Sequence, residues 1–172
     1  TPDITTIGQI IGGGYPVGAI AGPSEMRERM DASKYPPSEM AYQGGTFCGN
    51  PVTMTAGLAT LHVLDDVAVY DKINGLGEKV RRGISESFDG KGVRVTGLGS
   101  TFYVHFTGRE VNDIQDVFKG DMEMLWKYGI FLMNQGIFGL PTHFYNISYV
   151  HSEDDIKAFI QATRPFAASV KL

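Results

Sequence analysis

The chain has 172 residues, with 15 Lys plus Arg against 19 Asp plus Glu, four His and one Cys, giving a formal net charge of -4. That length is one ordinary domain or a piece of a larger one, and 42% hydrophobic with 20% charged residues suffices to bury a core. The mild acidity, without a Lys/Arg cluster, excludes nucleic acid and anionic membrane as main partners.

No apolar run reaches the roughly 20 residues needed to span a bilayer. A single Cys48 cannot form an internal disulfide, which fits a reducing, cytoplasmic setting. The chain begins Thr1-Pro2-Asp3 without Met or a targeting segment, and reads as a chain entered partway along.

In chain order, two glycine-rich segments stand out: Gly12-Gly13-Gly14-Tyr15-Pro16-Val17-Gly18 and Gln43-Gly44-Gly45-Thr46-Phe47-Cys48-Gly49-Asn50-Pro51. Such runs let the backbone turn with positive φ or pass close to a ligand. Residues 17–21 are a predicted strand, Ser24 a predicted cap for a short helix over 25–30, and 31–39, with Pro36-Pro37, a loop. Asn50 as cap and Pro51 as first helical residue open a helix over 51–64. Its Val52, Met54, Leu58, Leu61 and Val63 make it apolar nearly all round, which predicts burial on most faces. Asp65-Asp66 breaks the pattern and caps a second helix. There Tyr70, Ile73, Leu76, Val80, Ile84 and Phe88 keep helical spacing, while Lys79, Arg81, Arg82 and Glu86 face water. The domain boundary falls at this break, between 1–66 and 67–172.

Beyond it strands and helices alternate, an α/β pattern. Residues 93–95 and 101–107 read as strands, the second with Phe102, Val104 and Phe106 on one face and Tyr103 and His105 on the other. Ile114, Val117, Phe118, Leu125 and Tyr128 predict one helix closed by Gly129. Residues 130–133 and 147–150 read as further strands. Ser152, with Asp155 three residues on, opens a last helix bearing Ile156, Phe159, Ile160, Thr163, Ala167 and Val170 on one face.

Common catalytic templates are absent. The four His lack metal-ligand spacing, and each reads as a surface or satisfied packing residue. There is no G-x-x-x-x-G-K-[ST], G-x-G-x-x-G or G-x-S-x-G.

The run Pro2-Asp3-Ile4-Thr5-Thr6-Ile7-Gly8-Gln9-Ile10-Ile11-Gly12-Gly13-Gly14-Tyr15-Pro16-Val17-Gly18-Ala19 resembles the segment of class III aminotransferases that follows the cofactor-binding strands. Tyr42-Gln43-Gly44-Gly45-Thr46-Phe47-Cys48-Gly49-Asn50-Pro51, followed by Met54-Thr55-Ala56-Gly57, is similar to that family's later motif, and the likeness leans toward its glutamate-1-semialdehyde aminomutase branch. Gly97-Leu98-Gly99-Ser100 and His151-Ser152-Glu153-Asp154-Asp155-Ile156 fit the family's small C-terminal domain.

The resemblance implies a fold type I transferase: the end of the large domain over 1–66 and the small domain over 67–172. It also implies pyridoxal 5'-phosphate as cofactor, an amino acid or amine and a carbonyl compound as substrates, and a homodimer. Thr46 and Gly45 would meet the cofactor phosphate, in relatives that of the partner subunit. The helix after Asn50 would then lie near the subunit interface. The family's Schiff-base lysine falls at Gln9, whose amide nitrogen is neither a nucleophile nor a base. Lys34, in the Pro-rich loop, has no reason from the resemblance to replace it. The family's other cofactor-binding residues lie upstream of Thr1, so this chain alone is expected to bind the cofactor weakly or not at all. A rival reading is a non-catalytic binding or assembly module on the same scaffold. Leu140-Pro141-Thr142 either borders the substrate entrance or simply forms a turn.

Overall fold

A computed structural model of the chain describes residues 2–170. The chain divides into two compact units, Thr1–Asp66 and Val67–Leu172.

In the first unit, β1 (Thr5–Gly8) and β2 (Gly18–Ala21) form an antiparallel ribbon whose register runs from Thr5↔Ala21 to Gly8↔Gly18. A single 3-10 turn, Gln9–Gly12, follows β1 and ends on Gly13 in the left-handed region at φ 59°. That turn docks on α2 (Pro51–Leu64), where Gly57 is required: a Cβ there would lie 2.9 Å from the Ile11 carbonyl oxygen. The predicted α2 boundaries are met, with the Asn50 side chain accepting from the Val52 and Thr53 backbone N–H groups at 3.0 and 3.2 Å.

The predicted burial of α2 is not met. Only Thr53 and Gly57 are buried, while Val52, Met54, Leu58, Leu61 and Val63 are exposed. Within its own unit the helix meets the 3-10 turn along one stripe, and no second layer covers its other faces. The short helix α1 spans Ser24–Glu28, and Ser24 is its first helical residue, not its cap: Pro23 takes the cap position and no side chain bonds there.

The second unit holds the main core. Helix α3 (Val67–Ser87) lies against a three-stranded antiparallel sheet of β3 (Val93–Leu98), β4 (Thr101–Phe106) and β5 (Tyr145–Asn146), ordered β3-β4-β5. Leu76, Val80 and Ile84 from α3, Phe88 just beyond its end, and Phe102, Val104 and Phe106 from β4 are buried together, as the spacing predicts, while Tyr70 is exposed and Val69 is buried in its stead. Arg81 does not simply face water: its Nη1 donates to the Gly99 and Thr101 carbonyls at 2.6 and 3.2 Å and ties the β3–β4 turn to α3.

The one helix predicted to end at Gly129 is two helices, α4 (Ile114–Phe118) and α5 (Met122–Asn134), each capped by its own Asp, Asp113 and Asp121. Gly129 lies inside α5, and glycine is needed there because Pro141 packs on it; a Cβ would come 2.9 Å from the Pro141 Cα. The predicted strand at 130–133 is therefore helix. Its apolar run belongs to a helix seated on the core through Leu125, Tyr128 and Leu132. The strand predicted at 147–150 is displaced to Tyr145–Asn146, and Ile147 only donates its N–H to the Ser100 carbonyl at 2.9 Å.

Helix α6 (Glu153–Ser169) opens with the predicted capping box, Ser152 and Asp155 bonding each other's backbone N–H. It buries Ile156, Phe159, Thr163, Phe166 and Ala167. Phe166 extends an aromatic cluster in which the Phe88 ring meets Phe106 and Tyr128 edge-on, with centroids 5.6 and 5.7 Å apart. Among the described residues no single helix is long and apolar enough to cross a membrane.

Candidate functional site

The two glycine-rich segments meet in the first unit. Val17 and Gly18 from one, and Gly45, Thr46 and Cys48 from the other, line an open depression of about 600 Å³ floored by Met54 of α2. Local chemistry explains how Thr46 is presented. The 45–49 stretch is a pair of tight turns, with the Cys48 N–H donating to the Gly45 carbonyl at 3.0 Å and the Asn50 N–H to the Phe47 carbonyl at 3.1 Å. Gly49 takes φ 68°, and Asn50 then caps α2. Thr46 is exposed, and among the described residues neither its hydroxyl nor the Gly45 and Thr46 N–H groups have an internal hydrogen bond. Three donors on one turn are thus free of internal partners, a set suited to oxyanion binding.

Gln9 does not line the depression; it follows Gly8, whose strand partner Gly18 does. Its side chain is exposed and its backbone takes φ 57°. Only one other described non-glycine residue, Thr142, has positive φ. A left-handed non-glycine residue costs about 1–3 kcal/mol and persists where the surroundings enforce it. Here the Gly13 N–H donates to the Ile10 carbonyl at 3.1 Å and α2 abuts Ile11, which hold the turn. Glutamine and lysine both carry a Cβ and meet the same cost, so the backbone gives no reason for glutamine at this position. Lys34 is engaged elsewhere in the unit, its Nζ 3.4 Å from Glu28 Oε1.

Sequence reasoning did not single out Val17, Gly18, Cys48 or Met54 as lining residues. All four lie within the motif strings themselves, so the signal was present but did not say which side chains face the depression. Cys48 is exposed. Among the described residues no group of three or more His, Cys, Asp or Glu is placed to hold a metal ion. Each His of the second unit has a polar contact: His105 Nε2 is 2.7 Å from Thr96 Oγ1, His143 Nδ1 is 3.1 Å from the Phe144 carbonyl, and His151 Nδ1 accepts from the Ser148 N–H at 2.9 Å. Tyr103 donates to the Thr142 carbonyl at 3.0 Å, and Pro141 packs on Gly129, so the 140–142 segment is at least a well-fastened turn.

The mixed helix and sheet architecture and the paired glycine segments have close counterparts among known proteins. The profile of the class-III aminotransferases matches residues 1–160. Glutamate-1-semialdehyde 2,1-aminomutase from Methanothermobacter thermautotrophicus is 36% identical over 174 residues, covering 99% of this chain and 40% of that protein. In structure, an omega-transaminase from Sphaerobacter thermophilus superposes with a TM-score of 0.85 at 35% identity, over 99% of this chain and 39% of its own. A transaminase with pyridoxal phosphate bound superposes at 0.84 with 27% identity, over 99% and 39%. The chain belongs to the class-III aminotransferase family, and its fold is of the fold type I transferase kind. It spans about two-fifths of the length of these relatives.

Proposed function

We propose that the chain is the C-terminal part of a pyridoxal-phosphate-dependent aminotransferase or glutamate-1-semialdehyde aminomutase-like protein. In this reading residues 1–66 close the large domain and 67–172 form the small one. The whole protein acts as a homodimer in the cytoplasm, exchanging an amino group between an amine or amino acid and a carbonyl compound. The observation that carries the reading is the convergence of the two family motifs on one depression, with the Thr46 hydroxyl and neighbouring N–H groups unengaged.

The donor set tests the cofactor's fit. At the phosphate end the residues fit: the Thr46 hydroxyl and the Gly45 and Thr46 N–H groups are hydrogen-bond donors to an anion. At the aldehyde end they do not, because Gln9 offers an amide where the family motif has lysine. When bound, the cofactor supplies the electron sink for chemistry at the amine-bearing carbon. In the whole protein the Gly45 and Thr46 donors of this chain would hold its phosphate. Gln9 cannot carry the proton between substrate carbon and cofactor, a loss of about 10²- to 10⁴-fold in rate.

Gln9 also favours a second reading, a non-catalytic binding or assembly module that kept the scaffold. One experiment separates the two. Gln9→Lys is made in the full-length protein and reconstituted with pyridoxal phosphate. Visible absorption from a lysine-linked cofactor supports the transferase scaffold; a colourless protein counts against it and leaves the module.

A further inference from the structure

The second unit carries a cavity of its own, about 520 Å³, enclosed by the 136–139 segment, the residues around β5 and the start of α6. Its floor is aromatic and fixed. Phe102 and Tyr145 stack with centroids 5.2 Å apart, and Phe159 stands edge-on to both at 5.6 and 5.4 Å. The chain lies directly against that floor at Gly139, where a Cβ would run into the Tyr145 ring. Phe138 and Phe144 also line the cavity and are 80% and 48% exposed, so aromatic surface is left facing water. A volume of this size, with aromatic walls and a few polar groups, suits a small molecule.

His151 and Asp155 are the ionisable side chains on the lining besides Tyr145. A backbone N–H can only donate, and that of Ser148 donates to His151 Nδ1 at 2.9 Å. The neutral ring therefore carries its proton on Nε2, which has no partner among the described residues. Asp155 Oδ2 accepts from the Ser152 hydroxyl and N–H, both at 2.7 Å, while Oδ1 has no partner among the described residues. Those two bonds, with a smaller pull from His151, hold the Asp155 carboxyl below the usual carboxylate range, so it is ionised at neutral pH.

The lining thus combines an aromatic floor with one imidazole N–H donor and one carboxylate acceptor. Charge then selects among guests. An anion is repelled by Asp155, and an ammonium answers Asp155 but leaves the Nε2–H donor facing a cation. A neutral hydroxyl answers both, because it donates to a carboxylate and accepts from an N–H.

We propose that this cavity binds a small neutral aromatic compound bearing a hydroxyl group, with its ring on the Phe102, Tyr145 and Phe159 floor and its hydroxyl paired with Asp155 and His151. The site lies wholly in the second unit and does not rest on the functional reading above.

The test titrates the full-length protein with 2-(4-fluorophenyl)ethanol, followed by fluorine NMR, and compares 2-(4-fluorophenyl)ethylamine and 4-fluorophenylacetate, which share its ring. The alcohol is expected to saturate with a Kd of about 1 mM or below, and to bind about tenfold more tightly than the acid and more tightly than the amine. Ala158→Phe, at an exposed α6 position on the lining, fills the cavity and abolishes binding of the alcohol. Phe138→Ala, which trims an exposed ring, weakens it about three- to tenfold. Asp155→Asn narrows the preference for the alcohol over the acid. Circular dichroism shows that each variant is folded.

No saturable binding of the alcohol overturns the proposal, as does tighter binding of the amine or the acid by the native protein. Binding of the alcohol that both Ala158→Phe and Phe138→Ala leave unchanged places it elsewhere and overturns the proposal equally.

Discussion

The Tyr128 hydroxyl on α5 lies 2.7 Å from Thr163 Oγ1 on α6, and both side chains are fully buried. The direction of that bond follows from a second one. Thr163 donates its only hydroxyl proton to the Phe159 carbonyl at 3.0 Å, so Tyr128 must be the donor to Thr163. Burial drives the Tyr128 pKa far above the ordinary tyrosine value, which keeps the hydroxyl protonated and able to donate.

This asymmetry predicts unequal single mutants. Tyr128→Phe removes the donor and leaves Thr163 bonded to Phe159, for a loss of about 0.5–1.5 kcal/mol. Thr163→Val leaves the buried Tyr128 hydroxyl without a partner and costs more, about 1–3 kcal/mol. The double mutant should be less destabilised than the sum of the singles. Urea denaturation of the four proteins measures the cycle; equal single losses would contradict the assigned donor, and strictly additive ones the bond itself.

Two glycines of α3 differ in their surroundings. A Cβ on Gly77 would clash with the backbone carbonyl of Gly99 in the β3–β4 turn, whereas one on Gly75 meets nothing within 4 Å. Gly75→Ala should stabilise by about 0.5–1 kcal/mol through helix propensity. Gly77→Ala should destabilise by about 1–3 kcal/mol, because the obstacle is backbone and not a movable side chain. Thermal melting of both variants checks the opposite signs.

His105 is buried on the sheet face opposite the core, against Tyr103 and beside Thr96, with Arg94 directly across in β3 and Asp121 lining the same crevice. Burial holds its pKa below the ordinary value of 6.5. The unfolded chain therefore takes up this proton first as the pH falls. The stability contributed by neutral His105 is complete above about pH 6.5 and is lost as pH drops toward the lower folded value. His105→Gln should flatten that part of the profile, read as the urea midpoint between pH 5 and 7.5. An unchanged profile would show that other groups set it.

Thr46 is exposed and lies at a turn, so Thr46→Val in the full-length protein should move stability by less than about 0.5 kcal/mol. If its hydroxyl meets the cofactor phosphate, the same change weakens cofactor retention by about ten- to a hundredfold, the equivalent of one hydrogen bond to a charged group. Dialysis against pyridoxal phosphate measures this. Unchanged retention removes Thr46 from the site.

Local chemistry determined those features that depend on neighbouring residues alone. Asn50-Pro51 set the start of α2, Ser152 with Asp155 set the start of α6, and alternation placed Phe102, Val104 and Phe106 on one face of β4. The motif strings alone singled out Gln9 and Thr46 as candidates. The misreadings arose where a distant partner decides. Gly129 looks like a helix stop until Pro141 is seen packed on it, and Arg81 looks solvated until the carbonyls of Gly99 and Thr101 come within reach. The apolar faces of α2 read as core because composition reports what a surface would bury, not whether anything lies against it.

The convergence of the two glycine segments is likewise tertiary. The strings lie about two dozen residues apart, and only the fold sets Val17 and Gly18 of one against Gly45 and Thr46 of the other around one depression. Residue identity specifies which chemistry a side chain can perform, whereas backbone pairing and close packing between distant segments determine which side chains can perform it together.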